Sequence, residues 1–285
     1  MIEVHRDSCQ LPLTGVRYFP GRQMFLQTPN STPYDWNFSL FGFPIRVSAW
    51  FWAGAAFFGW GLVQLADRRF GAETLGVLPL LVMWCCGLLV SITIHELGHS
   101  LAMKRYGTNS SIVLYQFGGL AIPNRQLRSL SPMQDVLVAA AGPVFQILSA
   151  VILLVVVQTL GFGAKAAVDG RVFPMYLPLL EVPQVVLEGE PLPSVNLLVI
   201  IEFYVIPSII WGLFNLLPVF PLDGGRIVDG MIRHFGGSRY RATQVSLVVA
   251  ILVALWGMQS HNYYLGIMFG LLAFNNYQTL EGRFP

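Results

Sequence analysis

An apolar run in the first half of the chain contains three ionisable side chains, His95, Glu96 and His99. The preceding residues 76–91 carry no charge, and residues 76–102 are long enough to cross a bilayer as one helix. An ionisable side chain in hydrocarbon is costly, so its presence there indicates a functional site. The run therefore predicts a membrane-spanning helix that also carries chemistry.

The spacing of these residues is that of a metal site on a helix. His95 and His99 are four residues apart, which places both imidazoles on one helix face, about 6 Å apart along the axis. Two imidazoles so placed can bind one Zn²⁺ ion, and Glu96 beside them can act as a general base. The motif predicts a hydrolytic site with one zinc ion per chain, metal ligands His95 and His99, and catalytic Glu96.

The composition agrees with a membrane protein. Of the 285 residues, 54% are hydrophobic and only 11% are charged, whereas soluble domains carry about 25% charged residues. The net charge of +2 is too small to indicate a nucleic-acid partner. The lipid bilayer is therefore the first partner that the sequence predicts.

Apolar segments of membrane-spanning length predict an all-α polytopic fold with about six transmembrane helices. They cover residues 47–66, 76–102, 136–160, 195–217, 243–258 and 263–277, the last two being short. We divide the chain into an N-terminal segment, 1–40, and one six-span domain, 41–285. The intervening loop, 161–194, is below the roughly 50 residues that a domain needs. A mobile cap and an unstructured connector both remain open for it.

The distribution of basic residues predicts the orientation. With the N-terminus inside, the cytoplasmic segments hold 13 of the Lys and Arg residues and the external loops hold Arg68, Arg69, Lys165 and Arg171. Positive charge favours the cytoplasmic side, so both termini are expected there. The second span then runs from outside to inside, with the histidine motif about 10 Å below the cytoplasmic boundary.

A third metal ligand is needed, because catalytic zinc usually takes three protein ligands and leaves one position for water. Asp223 follows Pro218 and Pro221 and precedes Gly224 and Gly225, so the local backbone can carry its carboxylate towards a neighbouring helix. The fourth span also runs from outside to inside, which brings Asp223 to the same end of the membrane as the histidines. The alternative is that Asp223 is the N-cap of a helix over 224–235, and spacing alone leaves both open.

Asn215 lies where the fourth span ends. It can hydrogen-bond the substrate backbone or a developing oxyanion. The alternative is that it satisfies carbonyl groups freed where the helix breaks before Pro218, and both interpretations stay open.

At this point the chain resembles the site-2 proteases, membrane-embedded zinc metalloproteases that perform regulated intramembrane proteolysis. The resemblance covers residues 41–285 and rests on three blocks: His95-Glu96-Leu97-Gly98-His99, Ala140-Ala141-Gly142-Pro143 and Asn215-Leu216-Leu217-Pro218-Val219-Phe220-Pro221-Leu222-Asp223-Gly224-Gly225. It implies that His95, His99 and Asp223 bind the zinc ion and that Glu96 is the catalytic acid and base. It is nearest to the compact six-span group that includes the sporulation factor protease, without a PDZ or CBS domain.

Two departures from the family pattern concern substrate positioning rather than the ligands. The Ala-Ala-Gly-Pro block is commonly followed by Asn after two intervening residues, and this chain has Gln146 there. The histidine often seen just before the first span is also replaced, around residues 47–49.

A turn after the second span is predicted to contact the substrate. Gly118 and Gly119 suit a tight turn between two short strands. The resemblance implies a re-entrant β-hairpin beside the metal, whose edge pairs with an extended substrate. The alternative is a cytoplasmic connector between the second and third spans.

These observations predict an intramembrane zinc metalloendopeptidase that hydrolyses a peptide bond in or next to a transmembrane segment. Its partners are then a transmembrane protein substrate and a regulatory membrane protein, and a bacterial inner membrane fits the compact architecture. A cation transporter or channel using the same cluster is the first alternative, although repeated halves, which such proteins usually show, are not visible. An inactive scaffold homologue is the second, and the intact Glu96 argues against it.

Overall fold

A computed structural model describes residues 30–116, 118–124 and 130–282 of the chain. Residues 1–29 of the predicted N-terminal segment lie outside the described part. The helices are α1 Ala49–Phe70, α2 Val77–Arg105, α3 Pro132–Thr159, α4 Gln184–Leu187, α5 Val195–Ile206, α6 Gly212–Asn215, α7 Asp223–His234, α8 Arg239–Gln259 and α9 Tyr263–Leu280. The strands are β1 Trp36–Leu40, β2 Phe43–Val47, β3 Ser110–Tyr115, β4 Gly118–Pro123, β5 Phe162–Val168, β6 Arg171–Pro174 and β7 Glu190–Leu192.

Five helical segments of the described chain are long and apolar enough to span a membrane. They are 49–73, 77–105, 132–159, 195–215 and 239–259, which agree with the first five predicted spans. The helix α9, predicted as the sixth, is not among them because its last turns carry the amide side chains of Asn275, Asn276 and Gln278. The chain is therefore an integral membrane protein with five apolar spans in the part described.

The all-α prediction is wrong in part, because the chain also forms two small sheets. The first has the order β1-β2-β3-β4, with β2 and β3 parallel and the outer pairs antiparallel. The second has the order β6-β5-β7 and lies within the predicted loop 161–194. That loop is therefore folded, and the unstructured-connector alternative is wrong, whereas the mobile cap stays a prediction.

The helices α2 and α3 approach each other closely where both carry small residues. A Cβ atom on Gly98 would lie 2.5 Å from the Ala141 carbonyl oxygen, and one on Gly142 would lie 2.2 Å from Nε2 of His99. Small residues allow such backbone contact between membrane helices. The contact brings α3 against the histidine motif of α2.

The fourth span is broken near its C-terminal end. After α5, residues Pro207–Trp211 form a π-helical turn that leads into α6. Pro207 cannot donate a backbone hydrogen bond, which accounts for a break at this point. A loop over 216–222 then leads to α7, and the chain at Asp223 lies against α2 instead of continuing along the span.

The loop before Asp223 is held by two polar side chains from the last two helices. Ser246 of α8 accepts a hydrogen bond from the Phe220 backbone N–H and donates one to Asn276 of α9 over 2.9 Å. Asn276 in turn donates to the Phe220 carbonyl over 3.0 Å. The loop between α6 and α7 is thus anchored through both the N–H and the carbonyl group of Phe220.

Candidate active site

Three side chains from α2 and α7 converge in the interior of the protein. Nε2 of His95 lies 3.1 Å from Nε2 of His99 and 3.1 Å from Oδ2 of Asp223. Nε2 of His99 lies 3.2 Å from the same carboxylate oxygen. All three residues are buried. Among the described residues, they are the one group of three or more His, Cys, Asp or Glu side chains that lie close enough together to hold a metal ion.

The outer nitrogen of each imidazole is already engaged. Nδ1 of His99 lies 2.7 Å from the Val138 carbonyl oxygen, which can only accept, so this nitrogen carries the proton. Nδ1 of His95 lies 2.8 Å from Oε1 of Gln146. The amide nitrogen of Gln146 donates to Ser91 Oγ over 2.9 Å and points towards the Pro207 carbonyl at 3.4 Å, which orients Oε1 towards His95. A neutral imidazole with its proton on Nδ1 has a bare Nε2, so both rings are oriented to offer Nε2 as a metal ligand.

This arrangement fits a zinc ion. Nε2 of each imidazole and one carboxylate oxygen face one another, and two imidazoles with one carboxylate are a donor set that catalytic zinc sites use. Tetrahedral zinc with bonds of about 2.0–2.1 Å separates its ligand atoms by about 3.3 Å. The three observed separations, 3.1, 3.1 and 3.2 Å, are close to that value. Two nitrogen donors also favour zinc over magnesium or calcium, which prefer oxygen.

Asp223 does not act as an N-cap. The helix α7 begins at Asp223 itself, its N-cap residue is Leu222, and no side chain caps it. A carboxylate in the first turn is favoured by the helix dipole, and Arg226 approaches the second oxygen of Asp223 at 3.7 Å. Gly224 is required at the next position, because a Cβ there would lie 2.2 Å from two backbone carbonyl oxygens of the preceding loop.

Glu96 faces the hairpin that follows α2. It is buried on the helix between the two histidines. A Cβ atom on Gly119 of β4 would lie 2.5 Å from Cγ and 2.7 Å from Oε1 of Glu96. A glycine at 119 therefore lets the strand lie directly against this carboxyl group, as the predicted position of the hairpin requires.

The other two predicted site residues are Gly118 and Asn215. Gly118 begins β4 at a φ of 129°, in the region that favours glycine. The prediction that Gly118 and Gly119 form the turn is wrong, because both lie within β4 and pair with Tyr115 and Leu114 of β3. Asn215 is buried at the end of α6, and its Nδ2 donates to the Trp211 carbonyl over 3.1 Å. That bond is the one expected if Asn215 satisfies carbonyl groups at the break of the span.

Gln146 is a site residue that the sequence does not identify. The prediction that this departure from the family motif concerns substrate positioning rather than the ligands is wrong, because Gln146 is fully buried and its Oε1 lies 2.8 Å from Nδ1 of His95. The available signal was its position, since it is an uncharged polar residue in an otherwise apolar stretch of α3. A buried amide in a membrane helix needs a polar partner, and the α2–α3 contact supplies His95.

Comparisons with known proteins place the chain among zinc metalloproteases by sequence. Residues 83–257 match peptidase family M50. The zinc metalloprotease MJ0392 of Methanocaldococcus jannaschii is 29% identical over 179 residues, which cover 61% of this chain and 42% of that protein. The protein named "Putative zinc metalloprotease Rip3" of Mycobacterium tuberculosis is 30% identical over 214 residues, which cover 70% of this chain and 45% of that protein.

The chain thus spans less than half the length of these curated relatives. A solved structure, the site-2 protease from Methanocaldococcus jannaschii, superposes with a TM-score of 0.47 at 21% identity, covering 87% of this chain and 95% of that one. The family match contains the histidine motif, the Gly142-Pro143 block and Asp223, and it extends over more than half of the chain. The resemblance inferred from sequence is confirmed, and the chain belongs to peptidase family M50.

Proposed function

We propose that this chain is an intramembrane zinc metalloendopeptidase that cuts a peptide bond in or next to a transmembrane segment of another protein. The observation that carries the proposal is the convergence of His95 Nε2, His99 Nε2 and Asp223 Oδ2 beside Glu96, inside an apolar span. The zinc metalloprotease names of its relatives support the same reaction class.

Each of these residues would have a defined role in the reaction. His95, His99 and Asp223 would hold one zinc ion, which would act as a Lewis acid towards the scissile carbonyl and towards water. Glu96, whose carboxyl group lies beside β4, takes the proton of the attacking water and delivers it to the leaving amine. Asn215 would hydrogen-bond the substrate backbone through its side-chain amide.

The hairpin offers a way to hold a substrate in extended form. The strand β4 is the edge of its sheet, and within the described residues no strand pairs with its outer side. An unwound substrate segment can add to such an edge through main-chain hydrogen bonds. Gly118 and Gly119 would then form the part of the edge nearest to Glu96, which aligns the scissile bond with the acid and base.

For the membrane arrangement, we propose six spans with α9 as the sixth and with both termini in the cytoplasm of a bacterial cell. The distribution of Lys and Arg supports this orientation. Residues 41–285 would then form the catalytic domain, and the hairpin β3–β4 would re-enter the membrane from the cytoplasmic side. A transmembrane protein would be the substrate, with a regulatory membrane protein as a further partner.

The test compares metal content with proteolysis in detergent-purified protein. We expect about one zinc ion per chain in wild type and in Glu96→Gln, and loss of zinc in His99→Ala. Cleavage of β-casein should occur in wild type and be absent in both variants. A Glu96→Gln variant that still cleaves would remove Glu96 from the mechanism, and a folded wild type without zinc would favour a transporter or a scaffold.

A further inference from the structure

One guanidinium group joins α7 to α3. Nη2 of Arg233, in the last turn of α7, lies 2.7 Å from Oδ2 of Asp135 in the first turn of α3. Nε of the same guanidinium donates to Oδ2 of Asp229 over 3.1 Å, one turn earlier on α7. Arg233 therefore contacts one carboxyl group on each of the two helices.

These two helices also determine where the proposed metal ligands lie. The helix α7 begins at Asp223, whose Oδ2 faces both imidazoles. The helix α3 supplies the Val138 carbonyl, which accepts a hydrogen bond from Nδ1 of His99 over 2.7 Å. Asp135 and Val138 are three residues apart on α3, or about 4.5 Å along the axis. The same short stretch of α3 thus contacts both Arg233 and His99.

The closest approach of α7 to α3 is made by a glycine. A Cβ atom on Gly230 would lie 2.7 Å from the Pro132 carbonyl oxygen and 2.6 Å from Cγ2 of Val136. A glycine lets two helix backbones approach closely, but it has no side chain to insert into a groove of the partner helix. Among the described residues, the Asp135–Arg233 contact is the one side-chain hydrogen bond or ion pair between α3 and α7. It is therefore the directional contact that sets how the two helices lie along each other.

Asp229 holds the guanidinium in place for this contact. It is buried, and its Oδ1 has no hydrogen-bond partner, so its pair with Arg233 is its main stabilising contact. A buried carboxylate requires a counter-charge, which keeps Arg233 at the α7 surface. Because Asp229 and Arg233 belong to one helix, their pair orients the guanidinium without connecting α7 to another element. The connection to α3 depends on Asp135 alone.

We propose that Arg233 is a positioning residue for the metal site, because its ion pair with Asp135 fixes α7 against α3 and thereby holds Asp223 opposite the two imidazoles. This inference rests on the proposed zinc site and adds a way in which its third ligand is held. Arg233 lies ten residues from Asp223 on one helix, or about 15 Å along the axis. A shift of α7 at Arg233 is therefore transmitted to the carboxylate at its other end.

The test separates the position of α7 from the stability of the fold, in detergent-purified full-length protein. Arg233→Met removes the ion pair with Asp135 and also leaves Asp229 buried without its counter-charge. The double variant Arg233→Met/Asp229→Leu removes the buried charge as well, but it still lacks the connection to α3. Competition with a fluorescent chelator measures zinc affinity, the absorption spectrum of Co²⁺-substituted protein reports ligand geometry, and thermal unfolding reports stability.

The two variants should differ in stability and agree at the metal site. In Arg233→Met we expect a lower melting temperature, a zinc affinity about ten-fold below wild type and a changed Co²⁺ spectrum. In the double variant the melting temperature should recover, whereas zinc affinity and the Co²⁺ spectrum should stay as in Arg233→Met. If zinc affinity recovers together with the melting temperature, Arg233 acts only through stability and the inference is overturned.

A second test starts from α3. Asp135→Leu breaks the connection but keeps the pair within α7, so zinc affinity should fall with little change in melting temperature. Asp135→Asn retains an oxygen that accepts from Arg233, and it should keep most of the zinc affinity. Arg241→Met, which replaces an exposed arginine on α8, is the control and should match wild type.

The outcomes also distinguish this inference from the proposed function. A wild-type zinc affinity and Co²⁺ spectrum in Asp135→Leu would overturn the role of the ion pair while leaving the zinc site and the protease intact. A folded wild type that binds neither zinc nor Co²⁺ would remove the proposed function, and this inference with it.

Discussion

Two buried carboxyl groups in this protein look alike in the sequence and differ completely in their surroundings. Glu202 of α5 accepts hydrogen bonds from Arg69 over 3.1 Å and from the Tyr176 backbone N–H over 2.8 Å. Asp223 turns Oδ2 towards Nε2 of His95 and of His99, and its other oxygen lies 3.7 Å from the half-exposed Arg226. The nearest partners of Glu202 are thus an arginine and a backbone N–H, whereas the nearest partners of Asp223 are two metal-binding imidazoles.

The difference lies in what each carboxylate connects. Arg69 also donates to the Pro174 carbonyl and stacks over the rings of Phe70 and Phe173, so the Glu202 pair connects α1 and α5 to the sheet β6-β5-β7. Asp223 connects α7 to α2 through the two imidazole rings. A buried acid in a membrane protein thus indicates structure when its nearest partners are an arginine and backbone groups, and function when they are other metal-binding side chains.

The largest effect should come from removing Asp223. Asp223→Ala takes away one of the three proposed ligands, so zinc affinity should fall by more than the roughly 10- to 100-fold that loss of an outer hydrogen bond costs. Competition with a fluorescent chelator measures it. Glu202→Gln is the matched control, and its zinc affinity should equal that of wild type. Equal zinc affinity in Asp223→Ala and wild type would show that Asp223 is not a zinc ligand. The proposed difference between Asp223 and Glu202 would then be wrong.

Removing Arg69 should produce the opposite phenotype. Arg69→Met leaves the Glu202 carboxylate buried without its counter-charge, which costs about 2–4 kcal/mol after allowance for the partial exposure of Arg69. The melting temperature should fall while zinc content stays the same. The double variant Arg69→Met/Glu202→Leu should recover most of the loss, because it removes both charges. A double variant as unstable as Arg69→Met would show that the charge pair is not the cause.

A smaller effect on zinc is expected at Gln146. Gln146→Met keeps the side chain length but removes the acceptor that orients Nδ1 of His95, so zinc affinity should fall about 10- to 100-fold. The absorption spectrum of the Co²⁺-substituted protein should also change, which a purely packing role would not produce. Ser208→Ala, one hydrogen bond further along the same buried network, is the control. If Ser208→Ala lowered the zinc affinity and changed the Co²⁺ spectrum as much as Gln146→Met, loss of His95 orientation would not explain the effect of Gln146→Met.

The parts of the site that could be predicted from sequence are those fixed by local geometry. The four-residue interval between His95 and His99 determines a shared helix face without knowledge of any other element. Asp223 required one further step, the direction of the fourth span, together with the resemblance. Gln146 could not be predicted because its contact depends on how closely α2 and α3 approach at Gly98 and Gly142.

The missed sheets have a different cause. Strands β5, β6 and β7 are short, and β5 reads Phe-Gly-Ala-Lys-Ala-Ala-Val without a clear alternation of apolar and polar residues. The central strand β5 pairs with both β6 and β7, and the end of β6 is connected to α1 and α5 through Arg69 and Glu202. Pairing set by such distant contacts leaves little trace in the local pattern.

The smallest expected effect tests how Asp223 is held in place. Ser246→Ala removes the acceptor for the Phe220 backbone N–H and the donor to Asn276. A buried N–H left without a partner costs about 1–3 kcal/mol, so the melting temperature should drop by a few degrees. Because the anchored residue is three positions from Asp223, zinc affinity should fall less than in Gln146→Met. Ser260→Ala, just beyond the other end of α8, should change neither quantity. If Ser246→Ala also changes neither, the loop is held by packing of its apolar residues, and the Asp223 ligand position does not depend on the last two helices.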